Sequence, residues 1–99
     1  LDDVSDKNPK DIIGLTPLHQ AAIMGQFKIV KLIMESIDEK SPVDDEGDTP
    51  LHYAADAGHF DMCEYMIKRL TNKSPLNNNG KTPKDIASEK GHQHLFSLF

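Results

Sequence analysis

The sequence is poor in cysteine and in aromatic side chains. It holds one cysteine, which excludes an internal disulfide bond, and it has no tryptophan, two tyrosines and four phenylalanines. Aromatic residues this few and this scattered do not make a platform on which nucleic-acid bases could stack. Basic residues are also outnumbered, 11 against 16 acidic ones, and a formal charge of −5 argues against general nucleic-acid binding. We therefore expect no nucleic-acid partner.

Long apolar runs are missing as well. No stretch approaches the length of a membrane helix and no signal-peptide pattern is present, so we expect no membrane partner. The lone thiol, Cys63, is in phase with apolar Val30 and Phe96 and is predicted to lie in the core, which fits a reducing compartment. These features predict an intracellular protein, with the cytoplasm favoured over the nucleus.

What the sequence does have is a repeat. Residues 49–60 read TPLHYAADAGHF, residues 16–27 read TPLHQAAIMGQF and residues 82–93 read TPKDIASEKGHQ. The spacing is constant, since 49 − 16 = 33 and 82 − 49 = 33. A fixed period in this range is typical of proteins built from stacked repeats.

Each full repeat has the pattern of a helix, a tight turn and a second, longer helix. Thr49 followed by Pro50 predicts a helix start, because Thr is a favoured N-cap and Pro loses no hydrogen bond at the first helical position. Ala54 and Ala55 predict close packing against a neighbouring helix, and Gly58 suits the left-handed residue that ends the first helix. In the first repeat we expect helices at about 17–24 and 27–37.

These residues resemble the ankyrin repeat. Its pattern, a Gly before Thr-Pro-Leu-His-x-Ala-Ala and a later Gly-His, is nearly complete at 47–59, has Gln26 for His at 14–26, and is degenerate at 80–92. The resemblance implies an all-α solenoid of stacked helix-turn-helix units, with hairpin-like loops that we call fingers. It also implies a non-catalytic module that binds another protein through its fingertips and the concave face of its short helices.

The resemblance covers the whole chain, which we expect to be one domain, residues 1–99. Residues 1–15 would be the end of a preceding repeat plus the first finger, 16–48 and 49–81 full repeats, and 82–99 a truncated repeat. Leu1, Val4 and Lys7 are in phase with residues near the end of a second helix, which predicts a fragment of a longer array. The chain would then be a monomer, or would self-associate weakly through an exposed apolar N-terminal face.

Function is expected at the positions that do not repeat. The resemblance places them on the fingers and the short helices, and the predicted partner-binding residues are Ile13, Leu15, Gln20, Ile23, Glu46, Asp48, Tyr53, Asp56, Asn79, Lys81, Ile86 and Glu89. An apolar, an acidic and an amide-rich finger in a row suit a protein partner with a basic segment and an apolar end. Two alternatives stay open: many of these side chains are simply solvated, or the fragment is a structural spacer within a longer array.

The histidines invite a catalytic or metal-binding interpretation. The resemblance implies that His19 and His52 bond to the nearby threonine and backbone and so have a structural role. His59, His92 and His94 could bind zinc weakly, but no carboxylate or thiolate is spaced to complete a site.

A Cys63–His52–Asp56 triad fails on placement, because the cysteine is predicted in the core with a raised pKa. No glycine-rich phosphate loop is present either. We expect no catalytic residue, no metal site and no cofactor.

Two further features of the longer helices can be predicted. The residue that follows them, Ile37 or Leu70, stands where the family usually has Gly, so we expect a less sharp helix end or a side chain tucked under the finger. Stacking would also place opposite charges side by side across the outer surface, in the pairs Lys28–Asp61, Lys31–Glu64 and Glu35–Lys68.

Overall fold

The computed structural model describes residues 13–99, and these residues form helices without any strand. The elements are α1 (Pro17–Met24), α2 (Phe27–Ser36), α3 (Pro50–Ala57), α4 (Phe60–Arg69), α5 (Pro83–Glu89) and a 3₁₀ helix (Gln93–Leu98). The all-α prediction is confirmed. The predicted parts of the chain before residue 13, a last helical turn and most of the first finger, lie outside the described residues.

The short helices α1, α3 and α5 begin in the same way. Each follows a threonine in extended conformation whose hydroxyl oxygen accepts the backbone N–H three residues later, and each has proline at the next position. Two of them end at a left-handed glycine, Gly25 and Gly58, where the φ angles are 71° and 76°. Local chemistry of this kind defines both ends of α1 and α3.

The core is a seam between successive repeats. Helix α3 packs against α1 on one side and α5 on the other, while α4 packs against α2 and the 3₁₀ helix. The in-phase alanines Ala22 and Ala55 are both completely buried, as are the in-phase leucines Leu18 and Leu51. Small alanine side chains let neighbouring short helices approach closely, so burial is shared across the repeats.

The longer helices end where the usual glycine is replaced. Helix α2 ends at Ser36, one residue before the predicted end, because Ile37 takes an extended conformation with φ −113° and ψ 153°. Ile37 is only 7% exposed, and Leu70 is half-buried against the same core. Both residues therefore turn into the core, and a side chain tucked under the finger itself stays a prediction.

The predicted charge pairs across the outer surface are wrong. Within residues 13–99 the ion pairs are Lys68–Glu64, Lys81–Glu89 and Lys90–Asp56. The Lys31 ammonium instead lies 5.4 Å from the ring centroid of Phe27 and 5.8 Å from that of Tyr65. An aromatic face attracts a cation, and here it draws the lysine away from the carboxylate.

Helix α2 carries an exposed apolar side. Ile29 and Leu32 are 42% and 63% exposed, whereas the residues in phase with them, Met62 and Tyr65, are buried in α4. The difference arises because α2 covers α4, while nothing among residues 13–99 covers α2 in the same way. An exposed apolar face on this side agrees with the prediction.

Candidate functional site

Two complete fingers lie beside the short helices. In the second finger the Asp44 N–H donates to the Asp48 carbonyl at 3.0 Å and the Gly47 N–H donates to the Asp44 carbonyl at 3.0 Å. In the third finger the in-phase residues Asn77, Lys81 and Gly80 make the same two bonds at the same distances. Each finger is therefore a tight reversing turn closed by its own backbone.

A side chain at the base of each finger sets its shape. One Asp44 carboxylate oxygen accepts the backbone N–H groups of Glu46 and Asp48, both at 2.9 Å. The carboxamide oxygen of Asn77 accepts the N–H groups of Asn79 and Lys81 at 2.9 and 3.0 Å. Sequence reasoning missed both residues, although Asp or Asn recurring at the first position of a turn is a usable signal.

Successive fingers are joined to each other. The Asp45 N–H donates to the Ile13 carbonyl at 3.3 Å, and the Asn78 N–H donates to the Glu46 carbonyl at 2.9 Å. The Asn77 carboxamide adds a bond to the Asp48 carboxylate at 2.9 Å. These bonds hold the tips in a fixed row, so Ile13, Glu46 and the third fingertip are presented together.

The buried histidines fasten each finger to a short helix. The Nδ1 atom of His52 accepts the Thr49 N–H at 3.0 Å, so the neutral ring carries its proton on Nε2 and donates it to the Lys81 carbonyl at 2.9 Å. His19 repeats the arrangement with the Asp48 carbonyl at 2.8 Å. The predicted structural role is confirmed, and the bond to a residue 29 positions away was not foreseen.

Tyr53 lies at the junction of a short helix and the second finger. It is half-buried, its hydroxyl donates to the Asp44 carboxylate, and its ring meets His19 edge to face at 5.7 Å. Burial and the neighbouring Asp44 raise the pKa of Tyr53. Burial alone would raise the pKa of Asp44, but the bonds from Tyr53 and the finger backbone outweigh it and hold that pKa below its usual value.

On the exposed face of the short helices, the acidic side chains of Asp56 and Glu89 are paired with lysines of the same chain. Asp56 on α3 pairs with Lys90 at 3.4 Å, and Glu89 on α5 pairs with Lys81 of the third finger at 2.5 Å. Sequence reasoning missed Lys90, because a lysine beyond the end of a helix gives no sign of which carboxylate it will reach. Ile23 on α1 is 42% exposed and adds an apolar patch to this face.

None of the predicted partner-binding residues is buried. Half of them are exposed and half are half-buried; the exposed ones are Ile13, Gln20, Ile23, Glu46, Asn79 and Glu89, and the half-buried ones are Leu15, Asp48, Tyr53, Asp56, Lys81 and Ile86. The set falls into two groups, one on the fingers and one on the short helices, and the Lys81–Glu89 pair joins them.

The catalytic or metal-binding candidates Cys63, His92 and His94 are buried or hydrogen-bonded to the backbone. Cys63 is fully buried, and burial raises the pKa of its thiol to about 12, so it is protonated and shielded at neutral pH. His92 and His94 hydrogen-bond to the carbonyls of Asp56 and Gly58 at 2.9 and 3.0 Å. Within residues 13–99 no group of three or more His, Cys, Asp or Glu side chains could hold a metal ion.

The repeat pattern can be compared with known families. A protein-family model described as ankyrin repeats (3 copies) matches residues 2–74 and 38–99, which together span nearly the whole chain. The chain belongs to the ankyrin repeat family. Ankyrin repeats are in general protein–protein interaction modules and are typically non-catalytic. No curated protein matched the chain in a sequence comparison.

In the described part, from residue 13 to residue 99, no helix combines the length and the apolar character that crossing a membrane requires.

Proposed function

We propose that this ankyrin domain is a non-catalytic module that binds another protein through its fingertips and the concave face of α1, α3 and α5. One observation carries the proposal: on the short helices the repeated residues Ala22 and Ala55 are buried, while the predicted partner-binding positions, which differ between repeats, reach the surface. Side chains that vary within a constant scaffold can be fitted to a partner without cost to the fold.

The acidic side chains of the proposed surface indicate which charge a partner would carry. Asp56 and Glu89 already have lysine partners within the chain. Asp45 and Glu46 are exposed, and neither forms an ion pair in the part of the chain that the structure describes. We therefore propose a partner with a basic segment opposite the second fingertip and an apolar group near Ile23. Charge complementarity of this kind orients an encounter more than it strengthens it.

An affinity capture with matched variants tests the surface. The variant Ile23→Ser/Glu46→Lys alters one apolar and one acidic side chain on the proposed face. The control Ile29→Ser/Glu35→Lys makes the same two changes on α2, where Ile29 has the same 42% exposure as Ile23. Both baits should match wild type by far-UV circular dichroism before use.

The expected result is a set of proteins that wild type and the α2 control retain and that Ile23→Ser/Glu46→Lys loses at least tenfold, a difference of about 1.4 kcal/mol. Loss from the α2 control alone would move the binding surface to the opposite side.

Two further points stay predictions. One is a location in the cytoplasm, and the other is the division of residues 1–99 into units that begin at 16, 49 and 82.

A structural spacer is the second candidate function. It is favoured because two predicted partner-binding residues already bind groups within the domain. The Tyr53 hydroxyl donates to Asp44, and Asp48 accepts a bond from Asn77. If the domain only spaces other parts of an array, the captured proteins will be the same for wild type and both variants.

A further inference from the structure

Five of the six prolines follow a hydroxyl residue. The dipeptides are Thr16-Pro17, Ser41-Pro42, Thr49-Pro50, Ser74-Pro75 and Thr82-Pro83. Proline disfavours the helical conformation in the residue before it, so each of these hydroxyl residues is biased towards extended backbone. Proline-directed protein kinases act on Ser or Thr followed by Pro. The three threonines are extended, and Ser41 and Ser74 lie in bends. The structure separates the five by what surrounds each hydroxyl group.

The three threonines are committed to the fold. Each hydroxyl oxygen caps a short helix by accepting a backbone N–H, and Thr16 and Thr49 are 0% and 1% exposed. Thr82 is half-buried and accepts the Asp85 N–H at 3.1 Å. Transferring a phosphoryl group to any of them would break a cap and require opening of the helix start.

The two serines lie in the segments between a long helix and the next finger. Neither serine hydroxyl group makes a hydrogen bond with the described residues. They are in phase, since 74 − 41 = 33, yet their surroundings differ. Ser41 is half-buried and precedes the buried Pro42, whereas Ser74 is exposed and belongs to a run, 71–74, that is exposed throughout.

Charge separates the two serines further. The Ser41 N–H donates to the Glu39 carboxylate at 3.0 Å, so a phosphate on Ser41 would lie beside a negative group. The residue in phase with Glu39 is Asn72, and the Ser74 N–H donates to its neutral carboxamide at 3.0 Å. The segment from 71 to 81 contains two lysines and no acidic residue.

From these contrasts we propose that Ser74 is a phosphorylation site for a proline-directed serine/threonine kinase. In the reaction the Ser74 hydroxyl oxygen forms a bond to the γ-phosphorus of ATP, the bond between that phosphorus and the β,γ-bridging oxygen breaks, ADP leaves, and the hydroxyl proton passes to the kinase base. The product carries about −2 at neutral pH and is next to Lys73 in the sequence, while Lys81 is already paired with Glu89.

Phosphorylation of the folded chain tests the site. Wild type, Ser74→Ala and Ser41→Ala are incubated with a purified proline-directed kinase and Mg-ATP, and the phosphorylated residue is mapped by tandem mass spectrometry. The expected result is one phosphoryl group on Ser74, lost in Ser74→Ala and unchanged in rate in Ser41→Ala. Circular dichroism checks that both variants stay folded.

Three results would overturn the assignment. One is modification of Ser41 in the native chain at a rate equal to or above that of Ser74. Another is a phosphoryl group on a capping threonine of the native chain. The third is no modification of native Ser74 by a kinase preparation that phosphorylates a control Ser-Pro peptide.

Discussion

Replacing His52 is the most informative perturbation of the stack. Its ring makes two different bonds, one from the Thr49 N–H within its own helix start and one to the Lys81 carbonyl of the following finger. His52 is 2% exposed and Thr49 1% exposed, so water cannot replace either partner without local opening. The ring therefore connects a helix cap to the next repeat.

The cost of His52→Ala can be worked from these contacts. A buried N–H left without an acceptor costs about 1–3 kcal/mol, and the bond to the Lys81 carbonyl contributes about 1 kcal/mol net. With the cavity left by the ring, we expect a loss of about 3–5 kcal/mol. A domain of this length has a total stability of about 5–15 kcal/mol, so the variant loses a large part of it and approaches half-unfolded only at the lower end of that range.

His52→Asn separates the two bonds. In the third repeat the carboxylate of Asp85 accepts the Thr82 N–H at 2.9 Å, so a side chain as short as Asn can keep the helix cap. It is too short to take the place of Nε2 at the Lys81 carbonyl, and we expect a loss of about 1–2 kcal/mol. Urea unfolding followed by far-UV circular dichroism measures both variants, and hydrogen exchange of the third finger reports the lost bond directly.

A His52→Ala loss below about 0.5 kcal/mol would refute this reasoning, because no buried N–H would then have lost its partner. Equal losses for Ala and Asn would show that the helix cap contributes nothing beyond the bond between repeats.

The other predictions concern Gly58, with Gly91 as its comparison, and the carboxylate of Asp44. Gly58→Ala should lose about 2–4 kcal/mol of unfolding free energy, because its φ is 76° and a Cβ would lie 2.9 Å from the His92 ring. Gly91→Ala, with φ 77° and open space around it, should lose only about 1–2 kcal/mol; equal losses would contradict the role of the ring. The pKa of Asp44 is lowered in the folded chain, so its contribution is present above the unfolded value near 3.8 and disappears as pH falls through the folded value. Acid titration should therefore destabilise wild type more than Asp44→Asn, and parallel curves would refute the lowered pKa of Asp44.

Much of the fold follows from the sequence. Thr49, Pro50 and Gly58 act within a few residues of themselves, so their effect on helix ends depends little on the rest of the chain. The period of 33 residues then places Ala22 and Ala55 in equivalent surroundings. The end of α2 was predicted at about residue 37, one residue late, because Ile37 takes an extended conformation after Ser36.

The candidate site was less predictable, for a physical reason that Tyr53 illustrates. Its position on a short helix follows from the repeat, and it does reach the surface. That its hydroxyl donates to Asp44 depends on how close the second finger comes to α3, which is a distance between elements. Tyr53, which was predicted to contact a partner, therefore also holds the second finger through Asp44.

The sequence alone determined the period of the repeat, where α1 and α3 start and end, and the burial of the repeated alanines Ala22 and Ala55, because caps, turns and hydrophobic spacing act over short stretches that recur in phase. The tertiary structure alone decided which charged and polar side chains meet. The Lys31 ammonium lies near two aromatic rings, while Lys90 forms an ion pair with Asp56. Long side chains have many rotamers of similar energy, and the selection among them is made by neighbours that only the stacked repeats bring together.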